Sequence, residues 1–464
     1  MHELLSATAG RVARYLQTAQ TRRVSPAVES VQRLDAFDGP LPDGPADPAE
    51  ILAQLDELGS PATVTTSAGR YFGFVIGGTL PAALAANWLA GAWDQNAAMY
   101  VMSPIAAKLE EVVQRWTVDL LGLPPISAAG FVTGTTMANF SGLAAARTAL
   151  LGRRGWNVEE QGLFHAPEIR VIVGAEVHAS LQKALAMLGF GRARVTTVPA
   201  DGQGRMRADL LPGFDDHTIV CIQAGNVNTG DFDPARAICE KARAAGAWVH
   251  VDGAFGLWAG VSPTLKHLID GVELADSWAI DCHKWLNVPY DSGLAVVREP
   301  EHLRRAMSLT AAYLPPSDSR DNSYYTPESS RRARGVELWA AMRSLGKSGL
   351  AEIIERNCRQ ARRFAELIQF ANIPSAKILN EVVLNQVLVS FGTAEETRRI
   401  ISAVQTDGTC WCGHTVWQSQ SAMRISVSNW QTTDEDVVRS AEAIICVAKE
   451  VKSQLLNEGG TMFR

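Results

Sequence analysis

Five short stretches of this chain end in residues that can do chemistry. "VHVDGA" closes an apolar run on Asp252, "RVIVGAEVHAS" carries His178 just past such a run, and "SWAIDCHK" ends in Lys284. "CIQAGNVNTG" carries Asn226 and Asn228, and "GFVTGTTMAN" opens with Gly134, Thr135 and Thr136. Each has an ordinary reading. An aspartate after a strand usually closes a turn, a threonine-rich turn is a common helix start, and a lysine is among the least buried residue types. Together they offer more. An amine can attack a carbonyl, a carboxylate can hold a proton on a ring nitrogen, an imidazole can lie flat on a ring, and a helix N-terminus receives an anion on its backbone N–H groups.

The elements that must position these residues can be read from periodicity. From about 125 to 300, short apolar β-branched runs alternate with helical stretches: "GFVTG" and "MANFSGLAAARTALLG", "IRVIVGA" and "SLQKALAMLG", "TIVCIQAG" and "DPARAICEKARAAG", then "WVHVDGA", "SWAID" and "GLAVVREP". That alternation predicts an α/β fold, a mostly parallel sheet with helices on both faces. Ligands of such sheets bind at the carboxyl ends of the strands, so all five stretches gather on one edge. From about 345 the texture changes. "AEIIERNCRQARRFAELIQ" reads as an amphipathic helix and "VVLNQVLVSF" and "SAMRISVSNW" as strands. A last helix is predicted after Thr433 and Asp436, which are spaced as a capping box. The expected organisation is a helical segment and Pro/Gly/Asp-rich linker over 1–60, a large α/β domain over 61–340, and a smaller α+β domain over 341–464.

The gathered set suits pyridoxal 5'-phosphate. Its aldehyde needs an amine, its ring nitrogen a carboxylate that keeps the ring an electron sink, and its phosphate a helix N-terminus. The bulk properties agree with an enzyme of this size. The chain has 464 residues, 47% hydrophobic and 20% charged, with a net charge of −6. Neither nucleic acid nor a membrane is expected as a partner. The N-terminus reads as an amphipathic helix without a signal-length apolar core. Seven scattered cysteines point to reduced thiols in a cytoplasm. "CWCGH" places Cys410, Cys412 and His414 together, but the spacing matches no common zinc pattern; it reads as a hairpin strand, and no metal is expected.

"HVDGAFG", "CHKWLNVPYDSG" and "RRARGVELWAAMRSLG" carry a family likeness. The chain resembles the pyridoxal-phosphate-dependent amino acid decarboxylases of the group that includes the aromatic amino acid, glutamate and histidine enzymes. The likeness runs from "RYFGFVIGG" to "MRISVSNWQTTDEDV". It implies the fold type I architecture, release of carbon dioxide from an L-amino acid, and a homodimer with its active site between subunits. Carried over by position, Lys284 is the amine that holds the aldehyde, Asp252 the partner of the ring nitrogen, and Ala254 a small residue under the ring. His178 stacks on the opposite face. Gly134, Thr135 and Thr136 meet the phosphate, with His283 nearby. Arg424 anchors a substrate carboxylate, and Tyr313 in "AAYLPPS" returns a proton, with Tyr324 and Tyr325 as rivals.

Three departures qualify the likeness. Val227 stands where some members have a threonine, which leaves Asn226 or Asn228 to replace its contact. Asp281 stands where an asparagine or similar residue is usual, and an acid there would repel a phosphate unless it faced away. The loop around Tyr313 is unusually proline-rich. For the substrate pocket the resemblance points to "YFGFVIGG". Phe74 and Val75, with Ile76, are apolar, while Gly77 and Gly78 leave room; Trp93 and Tyr100 add aromatic walls. An apolar pocket favours an aromatic or bulky side chain; core packing is the other use for the same residues. Aldehyde-forming decarboxylation, C–C cleavage or amino transfer on the same fold are alternative reactions. A nicotinamide dehydrogenase is disfavoured because "TGTTMANFSG" lacks the G-x-G-x-x-G order. A non-catalytic family member is disfavoured by the intact lysine, aspartate and histidine.

Overall fold

A computed structural model describes residues 1–308 and 319–461, with side chains as far as 457. The chain forms two compact units, neither continuous in sequence. One comprises 79–358 and 380–384; the other comprises 1–78, 359–379 and 385–464.

The first unit is built on a seven-stranded sheet. Its strands are β1 (Ala128–Val132), β2 (Arg170–Gly174), β3 (Thr196–Val198), β4 (Thr218–Gln223), β5 (Trp248–Asp252), β6 (Ser277–Asp281) and β7 (Gly293–Val297), in the order β1-β7-β6-β5-β4-β2-β3. Only β7 runs antiparallel to its neighbours. β1, β4, β5, β6 and β7 are buried along their whole length. This explains why they read as continuous apolar runs rather than as alternating ones. The helix Thr135–Arg153 crosses the sheet on small residues. Ala144, Ala145 and Ala146 pack with Val171, Val173, Ile219 and Trp248 into one core. Where this helix begins, Gly293 faces Gly134, and a Cβ on Gly293 would lie 2.6 Å from the Gly134 Cα. Only glycine lets the turn before the helix sit that close to β7. The parallel strands all end on this edge.

The second unit holds a four-stranded antiparallel sheet of β8 (Lys377–Ile378), β9 (Gln386–Ser390), β10 (Gly413–Trp417) and β11 (Gln420–Ser426), in the order β10-β11-β9-β8. Of "CWCGH", Gly413 and His414 fall in the β10–β11 hairpin, while Cys410 and Cys412 precede it. Residues 70–72 run beside it. Trp411 donates its N–H to the Arg70 carbonyl at 3.1 Å, and Phe72 donates to the Trp411 carbonyl at 2.8 Å. The last helix, Asp434–Thr461, starts at the expected capping box: Asp436 N–H meets Thr433 Oγ1 at 3.1 Å, and Thr433 N–H meets Asp436 Oδ2 at 3.1 Å. Among the described residues no helix is long and apolar enough to cross a membrane.

Candidate active site

Asp252 is the last residue of β5 and is 4% exposed. Its Oδ2 accepts from Asn139 Nδ2 at 3.1 Å, and Oδ1 accepts from the Ala254 N–H at 3.3 Å. Burial pushes its pKa up, while His178, the Asn139 hydrogen bond and Lys284 pull it down; the net direction is up. A carboxylate held this dry gains from a cation placed against it.

Lys284 follows β6 by three residues. Its Nζ lies 2.9 Å from Asp281 Oδ2. Asp281 Oδ1 in turn accepts from the Thr135 backbone N–H at 2.6 Å and lies 3.5 Å from His283 Nε2. Asp281 therefore faces into the turn that begins the helix Thr135–Arg153. Burial opposes its charge, yet Lys284, His283 and the Thr135 bond together hold its carboxyl below the usual range. Its negative charge faces the Lys284 ammonium, the His283 ring and a helix N-terminus. A Cβ on Gly134 would meet His283 at 2.8 Å and Asp281 at 3.0 Å, which explains the glycine. His283 Nδ1 accepts from the Ser292 N–H at 3.2 Å, and its ring packs on Tyr290 with centroids 4.3 Å apart.

His178 follows β2 and caps the helix Ala179–Met187, its Nδ1 accepting from the Ser180 N–H at 3.2 Å. Asn226 closes a turn on itself: Oδ1 accepts from Asn228 N–H at 2.8 Å and Thr229 N–H at 3.2 Å. Two buried donors among these residues have no hydrogen-bond partner, Thr135 Oγ1 and Asn226 Nδ2. Such groups are costly unless something supplies an acceptor. With a helix N-terminus, an amine and a dry carboxylate beside them, they fit a phosphorylated ring cofactor that carries an aldehyde. Thr136 is half-buried at the same helix start.

Tyr313 lies outside the described residues. Tyr325 is engaged structurally, with the Arg320 guanidinium 3.9 Å from its ring centroid; Tyr324 has Arg304 at 5.7 Å. Arg424, Phe74 and Val75 belong to the second unit. There Val75 is fully buried, while Phe74 is exposed and lies against Trp411 with centroids 5.4 Å apart. Trp411 also stacks on Tyr71 at 5.0 Å. The guanidinium Nε of Arg424, on β11, is buried without a partner. His414 pairs with Ser421 Oγ across the β10–β11 hairpin at 2.8 Å. Asn139, His250 and Trp411 were not singled out from sequence. Two of them had a signal: His250 stands two residues before Asp252 and so shares its face of β5, and Asn139 lies one turn into the helix that Thr135 starts.

A family model, the pyridoxal-dependent decarboxylase conserved domain, matches residues 32–392. Tryptophan decarboxylase 1 of Oryza sativa subsp. japonica is 25% identical over 481 residues, covering 96% of this chain and 92% of that one. Aspartate 1-decarboxylase of Aliivibrio fischeri is 33% identical over 260 residues, covering 52% and 47%. The crystal structure of Oryza sativa TDC with PLP and tryptamine superposes with a TM-score of 0.88 at 22% identity, covering 97% of each chain. The chain belongs to the pyridoxal-dependent decarboxylase family and is a pyridoxal-phosphate-dependent amino acid carboxy-lyase of fold type I.

Proposed function

We propose that the crevice at the carboxyl ends of β2, β4, β5 and β6 is the decarboxylation site, and that its substrate is an L-amino acid with an aromatic or other bulky side chain. The observation that carries the first part is the joint placement of Lys284 and a buried Asp252 at the ends of neighbouring strands, beside a helix N-terminus with an unsatisfied hydroxyl donor. Bound pyridoxal phosphate supplies the electron sink that takes up the bonding pair as carbon dioxide leaves. The protein supplies the rest. Lys284 would hold the cofactor through its aldehyde, its amine being the one placed for that role. Asp252 holds the proton on the ring nitrogen. Gly134, Thr135, Thr136 and His283 receive the phosphate, and the Asp281 carboxylate keeps Lys284 Nζ near that turn. His178 covers the ring, Ala254 leaves room beneath it, and Asn226 has a free amide donor for it. The resemblance assigns Arg424 to the substrate carboxylate and Tyr313 to the return of a proton to the substrate carbon.

For the side chain, the support is the aromatic group Tyr71, Phe74 and Trp411, which shares a unit with Arg424, together with the likeness to a tryptophan decarboxylase. The likeness to an aspartate 1-decarboxylase supports a small acidic substrate instead. Two measurements test the proposal. Borohydride reduction followed by peptide mapping is expected to fix the cofactor on Lys284; a label on another lysine refutes the site. Carbon dioxide release from a panel of amino acids is expected to be fastest with tryptophan, tyrosine or phenylalanine. Faster turnover of aspartate refutes the aromatic assignment and leaves the site standing.

A further inference from the structure

Behind Asp252 lies a chain of buried polar side chains that the reaction as described does not use. Trp248 Nε1 is 2.9 Å from Ser277 Oγ, Ser277 Oγ is 2.8 Å from His250 Nδ1, His250 Nε2 is 2.8 Å from Asn139 Oδ1, and Asn139 Nδ2 is 3.1 Å from Asp252 Oδ2. Trp248, His250, Ser277 and Asn139 are each 2% exposed or less. Trp248, His250 and Asp252 alternate along β5 and so share one face; Ser277 comes from β6 and Asn139 from the helix Thr135–Arg153. Gly142, one turn beyond Asn139, makes the room: a Cβ there would meet His250 Cε1 at 2.9 Å and Nδ1 at 3.0 Å.

The direction of every bond follows from its ends. A carboxylate only accepts and an indole N–H only donates. Asn139 must therefore turn its amide nitrogen to Asp252 and its oxygen to His250. His250 then carries its proton on Nε2 and accepts from the Ser277 hydroxyl on Nδ1, while that hydroxyl oxygen accepts from Trp248. All four bonds donate toward Asp252.

We propose that His250 is a positioning residue for the decarboxylation: acting through Asn139, it orients the Asp252 carboxylate and favours its ionised form. This rests on the assignment of Asp252 as partner of the ring nitrogen. Burial of His250 pushes its pKa down to about 3, which keeps it neutral and in the required tautomer. The other groups whose charges bear on Asp252 are His178, Lys284 and Asp281, and Cys221 of β4 feels Asp252 in turn.

The test is the pH dependence of pyridoxal phosphate affinity, read by cofactor absorbance on protein stripped and reloaded. The cofactor needs Asp252 ionised, so affinity falls on the acid side where that carboxylate takes up a proton. In His250→Phe the fall is expected at higher pH, with affinity at neutral pH weakened by about tenfold, as for loss of one buried neutral hydrogen bond. His250→Gln can still donate to Asn139 and is expected to restore most of both. Ser277→Ala, a small change, is expected to lie between them. A structural role alone lowers the thermal midpoints of these variants but leaves the acid fall where it is, and that result overturns the proposal. Should His250→Phe fail to fold, an unmoved acid fall in Ser277→Ala overturns it equally. Asp252→Asn separates the two claims. If it binds the cofactor with wild-type pH dependence, the assignment of Asp252 is wrong and the proposal goes with it. If only Asp252→Asn changes that dependence, the assignment stands and the role of His250 does not.

Discussion

Asp252 and His250 stand two residues apart on β5, and burial drives their pKa values in opposite directions: the carboxyl up, the imidazole down to about 3. For each, burial disfavours the charged form. The cofactor's ring nitrogen rewards Asp252 for staying charged, so Asp252→Asn separates chemistry from structure. It keeps the shape but removes the charge. Removing one preorganised electrostatic contact costs about two to three powers of ten in rate, and single-turnover carbon dioxide release is expected to fall by that much with a thermal midpoint near wild type. A mere strand-end cap predicts the reverse, a loss of about 1 kcal/mol in stability with normal turnover. A variant that melts early yet turns over normally would end the catalytic assignment. His250 makes a separate prediction for stability. In the native state it stays neutral down to about pH 3, whereas in the unfolded chain it takes a proton near pH 6.5. Between those values the unfolded state binds more protons. The contribution of His250 is therefore complete above about pH 6.5 and is lost as pH falls, by at most about 1.4 kcal/mol per pH unit. Asp252, with its pKa raised, works in the opposite sense. Urea unfolding of the cofactor-free protein at pH 4.5, 5.5 and 7 is expected to show a shallower acid loss in His250→Gln than in wild type. Equal slopes would mean that His250 is not neutral in the folded protein.

At the scale of elements, most of the frame was legible and much of the wiring was not. β1, β2, β4, β5, β6 and β7 each announce themselves as apolar, β-branched runs, and the residues that follow them could be assigned to one edge from strand direction alone. β3 could not be read: it is three residues long, with two of them partly exposed, so it carries no usable period. Asn139 is marked locally only by its place one turn into the helix that Thr135 starts; its importance lies in a contact 113 positions away. Asp281 looked misplaced beside a phosphate turn, because sequence shows neither the Thr135 N–H nor the direction in which Lys284 turns. The pairing of residues 70–72 with Trp411 is likewise a long-range fact. Local signals such as caps, by contrast, transfer directly. Thr433 was expected to start the last helix and does. Thr433→Ala removes the acceptor for the Asp436 N–H and is expected to cost about 1 kcal/mol, read as a lower urea midpoint with unchanged turnover in the folded fraction. A midpoint equal to wild type would show that this helix is held by packing alone.

On the whole molecule one surface stands out. The helix Pro81–Trp93 presents Trp88, Leu89 and Trp93 to solvent, and Tyr100, Val101, Met102 and Ile105 follow, each between 42% and 69% exposed. Single exposed apolar residues are ordinary, but seven within 18 positions is a concentration along the chain that suits a covered surface. We propose that a second copy of the chain covers it, in keeping with the homodimer that the resemblance implies. The polar rim is at hand in Asp94, Gln95 and Asn96. Light scattering at micromolar concentration is expected to give twice the mass of one chain. Trp93→Glu with Val101→Glu places a charge on each copy at two positions that a dimer would desolvate, and an uncompensated buried charge costs several kcal/mol. In the isolated chain these side chains are 43% and 69% exposed, so the fold itself should tolerate the change. The double variant is expected to run as a monomer with an unaltered far-ultraviolet circular dichroism spectrum. If the active site is completed across the interface, the monomer should also lose carbon dioxide release, and mixing it with a Lys284→Ala dimer should not restore it. A wild-type monomer, or a double variant that still dimerises, would leave the patch without the partner assigned to it.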